Sequence, residues 1–280
     1  MKQEAVKDYF ILNHQLRSTQ DMSIFERISQ KSVYEVIKIV AGIPVFFEEH
    51  MQRMRRSAAL LKVSLPKSDE EVLEEIRLLL EKNRCENINV KLIRTRIGSE
   101  DYFLTYFIEA ESLSRKEYAR GIHVILYQGE RNKPHLKTLG SSFRDRVESA
   151  RARTGAYEAL LVDDQGNITE GSRSNIFFLK DGLLFTPPAR TVLLGVTRKH
   201  VMNLCKDMKL HVMEELLHRG EIRTVSGAFI TGTTVDIAPI RSIDDYTISS
   251  MENPQIQNIM RLYSDEVNAY LKQHTPHTKS

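Results

Sequence analysis

The chain has 280 residues, of which 41% are apolar and 28% charged, a balance that excludes a disordered chain and a membrane-embedded one. The length suffices for one large domain or two ordinary ones. With 40 basic against 37 acidic side chains, the net charge of +3 is spread along the chain and leaves no footprint for nucleic acid. The longest uncharged apolar run, Ile39 to Phe47, is broken by Gly42 and Pro44, whereas a membrane span needs about 20 apolar residues. Met1 to Asp8 lack the apolar stretch of a secretory leader, so the expected location is cytoplasmic. Cys85 and Cys205 form neither a CxxC nor a metal spacing and are expected as buried, reduced thiols.

Taken in chain order, Ser32 to Val40 reads as a β-branched strand. Ala41-Gly42 reads as a turn, and Ile43 to Phe47 as the returning hairpin strand. A helix is expected from Glu48 to Leu61, because Met51, Met54, Ala58 and Leu61 fall on one helical face. Ser68 and Glu71 make a capping box for a second helix with a stripe of Val72, Leu73, Ile76, Leu79 and Leu80. Asn87 to Ile97 and Tyr102 to Ile108 read as strands. The polar stretch Glu111 to Gly121 reads as holding an interdomain linker. Beyond it, Ile122 to Tyr127 is an expected strand and Arg144 to Thr154 an expected helix. Two hairpins follow, Ala159–Asp163 with Ile168–Glu170 and Asn175–Leu179 with Leu183–Thr186, each around a turn rich in Asp, Asn and Gly. Thr197 to Lys206 is an expected helix, and Ala228 to Thr231 a strand leading into Gly232-Thr233-Thr234.

Dinucleotide, P-loop, zincin and nucleophile-elbow signatures are absent, and His50 lacks the second spaced histidine of a metal site. Four separated elements remain. Lys137, in Pro134-His135-Leu136-Lys137-Thr138, follows an apolar residue in a segment without helical patterning, where a desolvated amine can attack an aldehyde. Glu170 ends a hairpin strand and is followed by the small residues of Gly171-Ser172-Arg173-Ser174-Asn175, leaving room for a ring beside a carboxylate. Leu194-Gly195-Val196-Thr197-Arg198 puts free N–H groups at a helix start, which favours an anion. Gly232-Thr233-Thr234 offers a second such turn. Each alone is more often a surface charge or a polar bend. Together they suit one ligand, a phosphorylated aldehyde with a basic ring nitrogen, and pyridoxal phosphate has those parts.

On these motifs, from about Ser32 to Ile243, the sequence resembles the class IV, fold type IV, pyridoxal-phosphate aminotransferases. That family includes branched-chain and D-amino acid aminotransferases and aminodeoxychorismate lyases. The strongest stretches are Tyr157 to Asp163, Thr169 to Phe177, Thr186-Pro187-Pro188, Leu194 to Arg198 and Thr231 to Thr234. The resemblance implies a two-domain α/β fold, with a small α/β N-terminal domain (1–114), a linker (115–121) and a larger strand-rich, barrel-like C-terminal domain (122–280). It implies that Lys137 is the Schiff-base lysine and Glu170 the carboxylate on the ring nitrogen. Arg53, Val196, Thr197 and Thr233 match the phosphate seat. Tyr34 and Glu35 match an active-site strand, closest to the Val-Tyr-Glu of D-amino acid enzymes. Thr233 and Thr234 border the substrate.

Departures from the family bear on the substrate. Glu26 to Glu35 holds no glycine, and Tyr34 stands for a phenylalanine. Ser142 occupies a position where some members have tyrosine. Arg94-Thr95-Arg96 stands where some D-amino acid enzymes carry an Arg-x-His carboxylate trap. Arg173 is therefore the expected partner of the substrate carboxylate, with Arg27, Lys31, Arg94 and Arg96 next. The implied activity is amino-group transfer between an amino acid, branched-chain or otherwise apolar and L or D, and a 2-oxo acid. D-amino acid transfer, aminodeoxychorismate lysis and a non-catalytic cofactor-binding homologue are the alternatives. The family works as homodimers, and no metal, nucleic acid or membrane partner is expected.

Overall fold

The structure, a computed structural model, describes residues 4–29, 31–109, 113–130, 135–139 and 142–275. Glu111 and Ser112, at the start of the expected linker, and the Ser142 side chain lie outside them. The chain divides into two compact units. The first comprises Met1–Glu111, Leu136–Gly140 and Val267–Ser280, the second Ser112–His135 and Ser141–Glu266.

In the first unit, β1 (Tyr9–Leu12) and β2 (Gln15–Ser18) form a hairpin, followed by the one-turn helix α1 (Ser23–Glu26). β3 (Val33–Val40) alternates strictly, with Val33, Glu35, Ile37 and Ile39 buried. The period of two thus puts Glu35 in one row with three core aliphatics. β4 covers Ile43–Pro44 alone, where the sequence suggested a strand running to Phe47. Pro44 has no N–H to extend a ladder, and Phe46, at φ 52°, turns the chain into helix α2 (Phe47–Leu60). The buried stripe of α2, Phe47, His50, Met51, Met54 and Ala58, packs against β3. α3 (Asp69–Asn83) starts at the expected capping box of Ser68 and Glu71. β5 (Ile88–Ile97) and β6 (Glu100–Ile108) complete an antiparallel sheet in the order β2-β1-β6-β5-β3-β4.

In the second unit, the polar stretch holds a short helix, α4 (Arg115–Arg120), capped reciprocally by Ser114 and Glu117. β7 (Ile122–Gln128) and β8 (Glu158–Val162) are parallel, and α5 (Ser142–Thr154) packs on both. β9 (Asn167–Gly171) returns from β8 through a turn in which Asp163 Oδ1 accepts the N–H groups of Gln165 and Asn167. β10 (Asn175–Lys180) and β11 (Leu183–Thr186) form the second expected hairpin. α6 (Val196–Asp207), β12 (Val212–Glu214), β13 (Leu217–His218), β14 (Gly227–Gly232), β15 (Asp236–Ile243), β16 (Tyr246–Thr247) and α7 (Pro254–His274) follow. The sheet runs β12-β11-β10-β14-β15-β7-β8-β9-β13, with β16 on β15. β9 and β10 touch although four strands lie between them in that order, so the sheet curls as a half-barrel.

β15 and α7 lie beyond Thr234, where no element is expected from the residue pattern. Pro254 opens α7 at a position that needs no N–H, and Ile256, Ile259 and Tyr263 are its buried face. No described helix is long and apolar enough to cross a membrane. Both cysteines are free; Cys205 is buried in α6, whereas Cys85, just past α3, is half-buried and corrects the expectation of two buried thiols.

Candidate active site

In the first unit, the row that β3 turns into the core contains one acid. Glu35 is fully buried and accepts three hydrogen bonds. Arg53 Nε donates to Oε1 at 2.7 Å, Arg53 Nη2 to Oε2 at 2.6 Å, and His50 Nδ1 to Oε2 at 3.1 Å. His50 and Arg53 stand on the same face of α2, three residues apart, so one helix supplies both donors. Burial alone would push the Glu35 carboxyl up. The Arg53 charge, the hydrogen bonds from Arg53 and His50, and the Lys137 charge outweigh it and hold the group at about 2. Burial pushes His50 below its ordinary value, against the pull of Glu35, so the ring is held neutral with its Nδ1–H on the carboxylate.

The segment carrying Lys137 lies along the start of β3. Tyr34 N donates to the Lys137 carbonyl at 3.0 Å, Leu139 N to the Ser32 carbonyl at 3.2 Å, and Val33 and Thr138 form an antiparallel bridge. Lys137 Nζ stands 5.1 Å from the centroid of the Tyr34 ring, within cation–π range. Lys91 Nζ stands 5.2 Å from the same ring. Tyr34, Arg53 and Lys137 are thus gathered around Glu35. Arg94 and Arg96, the alternative carboxylate binders, are both held by Asp101, at 2.7 and 2.8 Å.

In the second unit, Glu170 lies near the end of β9 and is buried, with Oε2 accepting Leu193 N at 3.1 Å. Asn175 Nδ2 donates to the Leu193 carbonyl at 2.8 Å. The two side chains therefore grip both sides of one residue in the loop that leads into α6. That loop ends at Gly195, where a Cβ would lie 2.3 Å from Asn175 Oδ1, so only glycine lets the loop sit this close. Gly195 is also the N-cap of α6 and supplies no side-chain acceptor, which leaves the first amides of α6, at Val196 and Thr197, for another acceptor. α6 packs against β14. Thr233 and Thr234 are the central residues of the half-buried turn between β14 and β15, closed by Val235 N on the Gly232 carbonyl at 3.2 Å. Arg173 is half-buried, and its Nη2 donates to the Tyr157 carbonyl at 3.4 Å. Glu170, Arg173, Val196, Thr197, Thr233 and Thr234 all belong to this unit, and Tyr34, Arg53 and Lys137 to the other.

A phosphorylated aldehyde with a basic ring nitrogen requires an amine, a carboxylate and an anion seat. In the first unit, Lys137 could supply the amine. In the second, the buried Glu170 could supply the carboxylate and the uncapped start of α6 the seat, together with Thr231 on β14, whose Oγ1 is buried without a hydrogen-bond partner among the described residues. An orphaned buried hydroxyl costs stability unless a ligand satisfies it. The donor set fits the group. Two neighbouring residues carry little signal in the sequence. His50 lacks the second histidine of a metal site, although its spacing of three from Arg53 places both on one helical face. Thr231 ends a buried strand, where a hydroxyl among Phe229 and Ile230 marks a polar atom in need of a partner.

The family profile for amino-transferase class IV matches residues 32–243. A putative branched-chain-amino-acid aminotransferase of Methanocaldococcus jannaschii is 31% identical over 80% of this chain and 82% of its own. A D-alanine aminotransferase of Bacillus licheniformis is 28% identical over 84% of this chain and 87% of its own. The fold is that of the branched-chain amino acid aminotransferase of Thermobaculum terrenum in its PLP form, with a TM-score of 0.81 at 22% identity over 95% of each chain. With its mixed α/β architecture of two sheets and a family match spanning most of its length, the chain belongs to the class IV aminotransferases.

Proposed function

We propose that this aminotransferase uses pyridoxal phosphate to move the amino group of an apolar amino acid, branched-chain ones foremost, to a 2-oxo acid. The observation that carries the reading is Lys137, set over the Tyr34 ring and beside the buried Glu35–His50–Arg53 cluster in a chain of this family. The relatives named for branched-chain substrates support the substrate class. A second reading, D-amino acids, draws on Val33-Tyr34-Glu35 and on the likeness to a D-alanine enzyme. A cytoplasmic homodimer is part of the proposal.

When bound, pyridoxal phosphate supplies an aldehyde that takes up amines and a ring that accepts electrons. Lys137 Nζ would hold the aldehyde carbon, and its free amine would move a proton to and from the substrate Cα. Glu170 would hold a proton on the ring nitrogen, because an opposite charge beside it favours the protonated form. The Val196 and Thr197 amides, Thr233 and Arg53 would hold the phosphate, and Thr231 would offer its hydroxyl. Arg173 binds the substrate carboxylate, while Tyr34 and Thr234 orient the substrate.

The deciding experiment is a panel of L- and D-amino acids with 2-oxoglutarate or pyruvate, followed by cofactor absorbance and product. Transfer from L-valine, L-leucine and L-isoleucine is expected. Transfer from D-alanine alone selects the second reading. Pyruvate release from aminodeoxychorismate without a 2-oxo acid selects a lyase, and a spectrum that ignores every amine overturns the catalytic assignment.

A further inference from the structure

β8 has the sequence Glu-Ala-Leu-Leu-Val and is buried throughout, and its one polar side chain, Glu158, is 1% exposed. No step above uses it. Its Oε1 accepts from Ala159 N at 2.8 Å and Ser172 Oγ at 2.6 Å. Its Oε2 accepts from Arg173 N at 3.2 Å and Ser174 Oγ at 2.9 Å. A carboxylate offers about four acceptor sites and no donor, and here all are taken. The bend between β9 and β10 is built around this group. Ser172 and Ser174 give their hydroxyls and Arg173 its amide. A Cβ on Gly171 would lie 3.1 Å from Glu158 Oε2 and 2.1 Å from Ser174 Oγ, so Gly171 supplies clearance. The bend is closed further by Gly171 N on the Ser174 carbonyl at 2.8 Å and Ser172 N on the Ala159 carbonyl at 2.9 Å.

The bend starts directly after Glu170, ends directly before Asn175, and carries Arg173. Glu170 and Asn175 are the two residues that grip Leu193 ahead of α6. We infer that Glu158 is a positioning residue: through the Gly171–Ser174 bend it fixes the direction of the Glu170 carboxylate and of Arg173, and acts on the reaction only through them. This rests on the roles proposed for Glu170 and Arg173.

Glutamine is the sharp probe. Each oxygen of Glu158 faces a backbone N–H, which cannot reverse its polarity as a hydroxyl can. Either orientation of a glutamine amide therefore turns an NH2 against a fixed donor. Glu158→Gln is expected to lower kcat about tenfold and raise KM for the amino acid by a similar factor, with the apo-protein's Tm within a few degrees of wild type. Glu170→Gln alone is expected to lower kcat about a hundredfold, and adding Glu158→Gln to it should cost less than the product of the two. Hydrogen exchange in the cofactor-free protein reads the same effect without activity. The Arg173, Asn175 and Leu193 amides should exchange about tenfold faster in Glu158→Gln, with β7 unchanged. If that variant does not fold, the Ser172→Ala/Ser174→Ala double variant should show the same exchange pattern. Wild-type exchange across the bend overturns the inference whatever the activity. Faster exchange with unaltered kcat and KM also overturns it, because the bend would then be structural alone. If Glu170→Gln turns over normally, the role proposed for Glu170 fails instead, and the inference stands or falls on the KM and exchange arms through Arg173.

Discussion

Tyr34 and Lys137 meet twice: the Tyr34 amide donates to the Lys137 carbonyl at 3.0 Å, and the Lys137 ammonium stands 5.1 Å from the Tyr34 ring centroid. The first contact fixes the backbone of the lysine against the end of β3, and the second fixes its side chain. A flexible four-carbon stem is thereby held at both ends, which lowers the entropy lost when Nζ must address one carbon atom.

Lys137→Ala is accordingly expected to abolish the yellow absorbance of the loaded protein. Borohydride reduction followed by peptide mapping should place the trapped cofactor on the 135–139 segment in the wild type and nowhere in the variant. An adduct on another lysine would assign the nucleophile elsewhere.

Arg53→Ala is expected to act on stability and on cofactor affinity together. Glu35 is buried and Arg53 is its bidentate partner, and stripping one member from a buried pair typically costs about 3–5 kcal/mol. Urea unfolding of the apo-protein should show that loss, while Arg56→Ala, on the exposed side of α2, should stay within about 0.5 kcal/mol of wild type. Pyridoxal phosphate affinity should fall about 10- to 100-fold in Arg53→Ala alone. Equal affinity in the two variants would leave Arg53 as the partner of Glu35 and nothing more.

Much of this cluster could be read from the residues, and some could not. The strand Val33–Val40 is written in its β-branched alternation, and an acid at an inward position of that alternation announces a buried carboxylate. Ser68 and Glu71 announced α3 in the same way. Ser114 and Glu117 carry the same signature, but the surrounding polar composition masked it and α4 read as linker. Lys137 and Glu170 stood out through the order of motifs. Their neighbours did not, because no local pattern says that His135–Leu139 returns to pair with Val33, or that Phe47 N donates to the Tyr270 hydroxyl oxygen at 3.2 Å. Such long-range contacts are set by tertiary packing. β4 failed for a local reason, since Phe46 adopts a left-handed backbone that its residue type does not advertise.

Acid should destabilise the protein in a defined window. Glu35 titrates at about 2 in the fold against an ordinary value of 4.5, so between those values the unfolded chain binds a proton that the fold refuses. Its stabilisation is complete above the ordinary value and is lost as pH falls toward 2. His50, pushed below its ordinary 6.5 by burial, acts in the same direction, beginning at a higher pH. Tm is therefore expected to decline gently below pH 6.5 and steeply below 4.5. In Glu35→Gln the steep part should flatten, even though the variant starts less stable. A Glu35→Gln profile parallel to wild type below pH 4.5 would show that another carboxylate governs acid unfolding.

Arg173→Ala tests who receives the substrate carboxylate. Arg94 and Arg96 are committed to Asp101, so neither is a spare cation. Arg173 holds its backbone N–H on Glu158, and its guanidinium donates to the Tyr157 carbonyl at 3.4 Å, the long end of a hydrogen bond. Exchanging that carbonyl for a carboxylate would gain a charge-assisted, bidentate contact, worth about 1.5–3 kcal/mol. Arg173→Ala is thus expected to raise KM for every amino acid about 10- to 100-fold, with cofactor affinity and the absorbance of the loaded protein unchanged. Arg173→Lys should recover part of the loss, because it restores the charge without the planar fork. If KM is unmoved in Arg173→Ala while thermal stability drops, the guanidinium serves to pin Tyr157. The carboxylate would then belong to another cation, with Arg27 and Lys31 the next to be replaced.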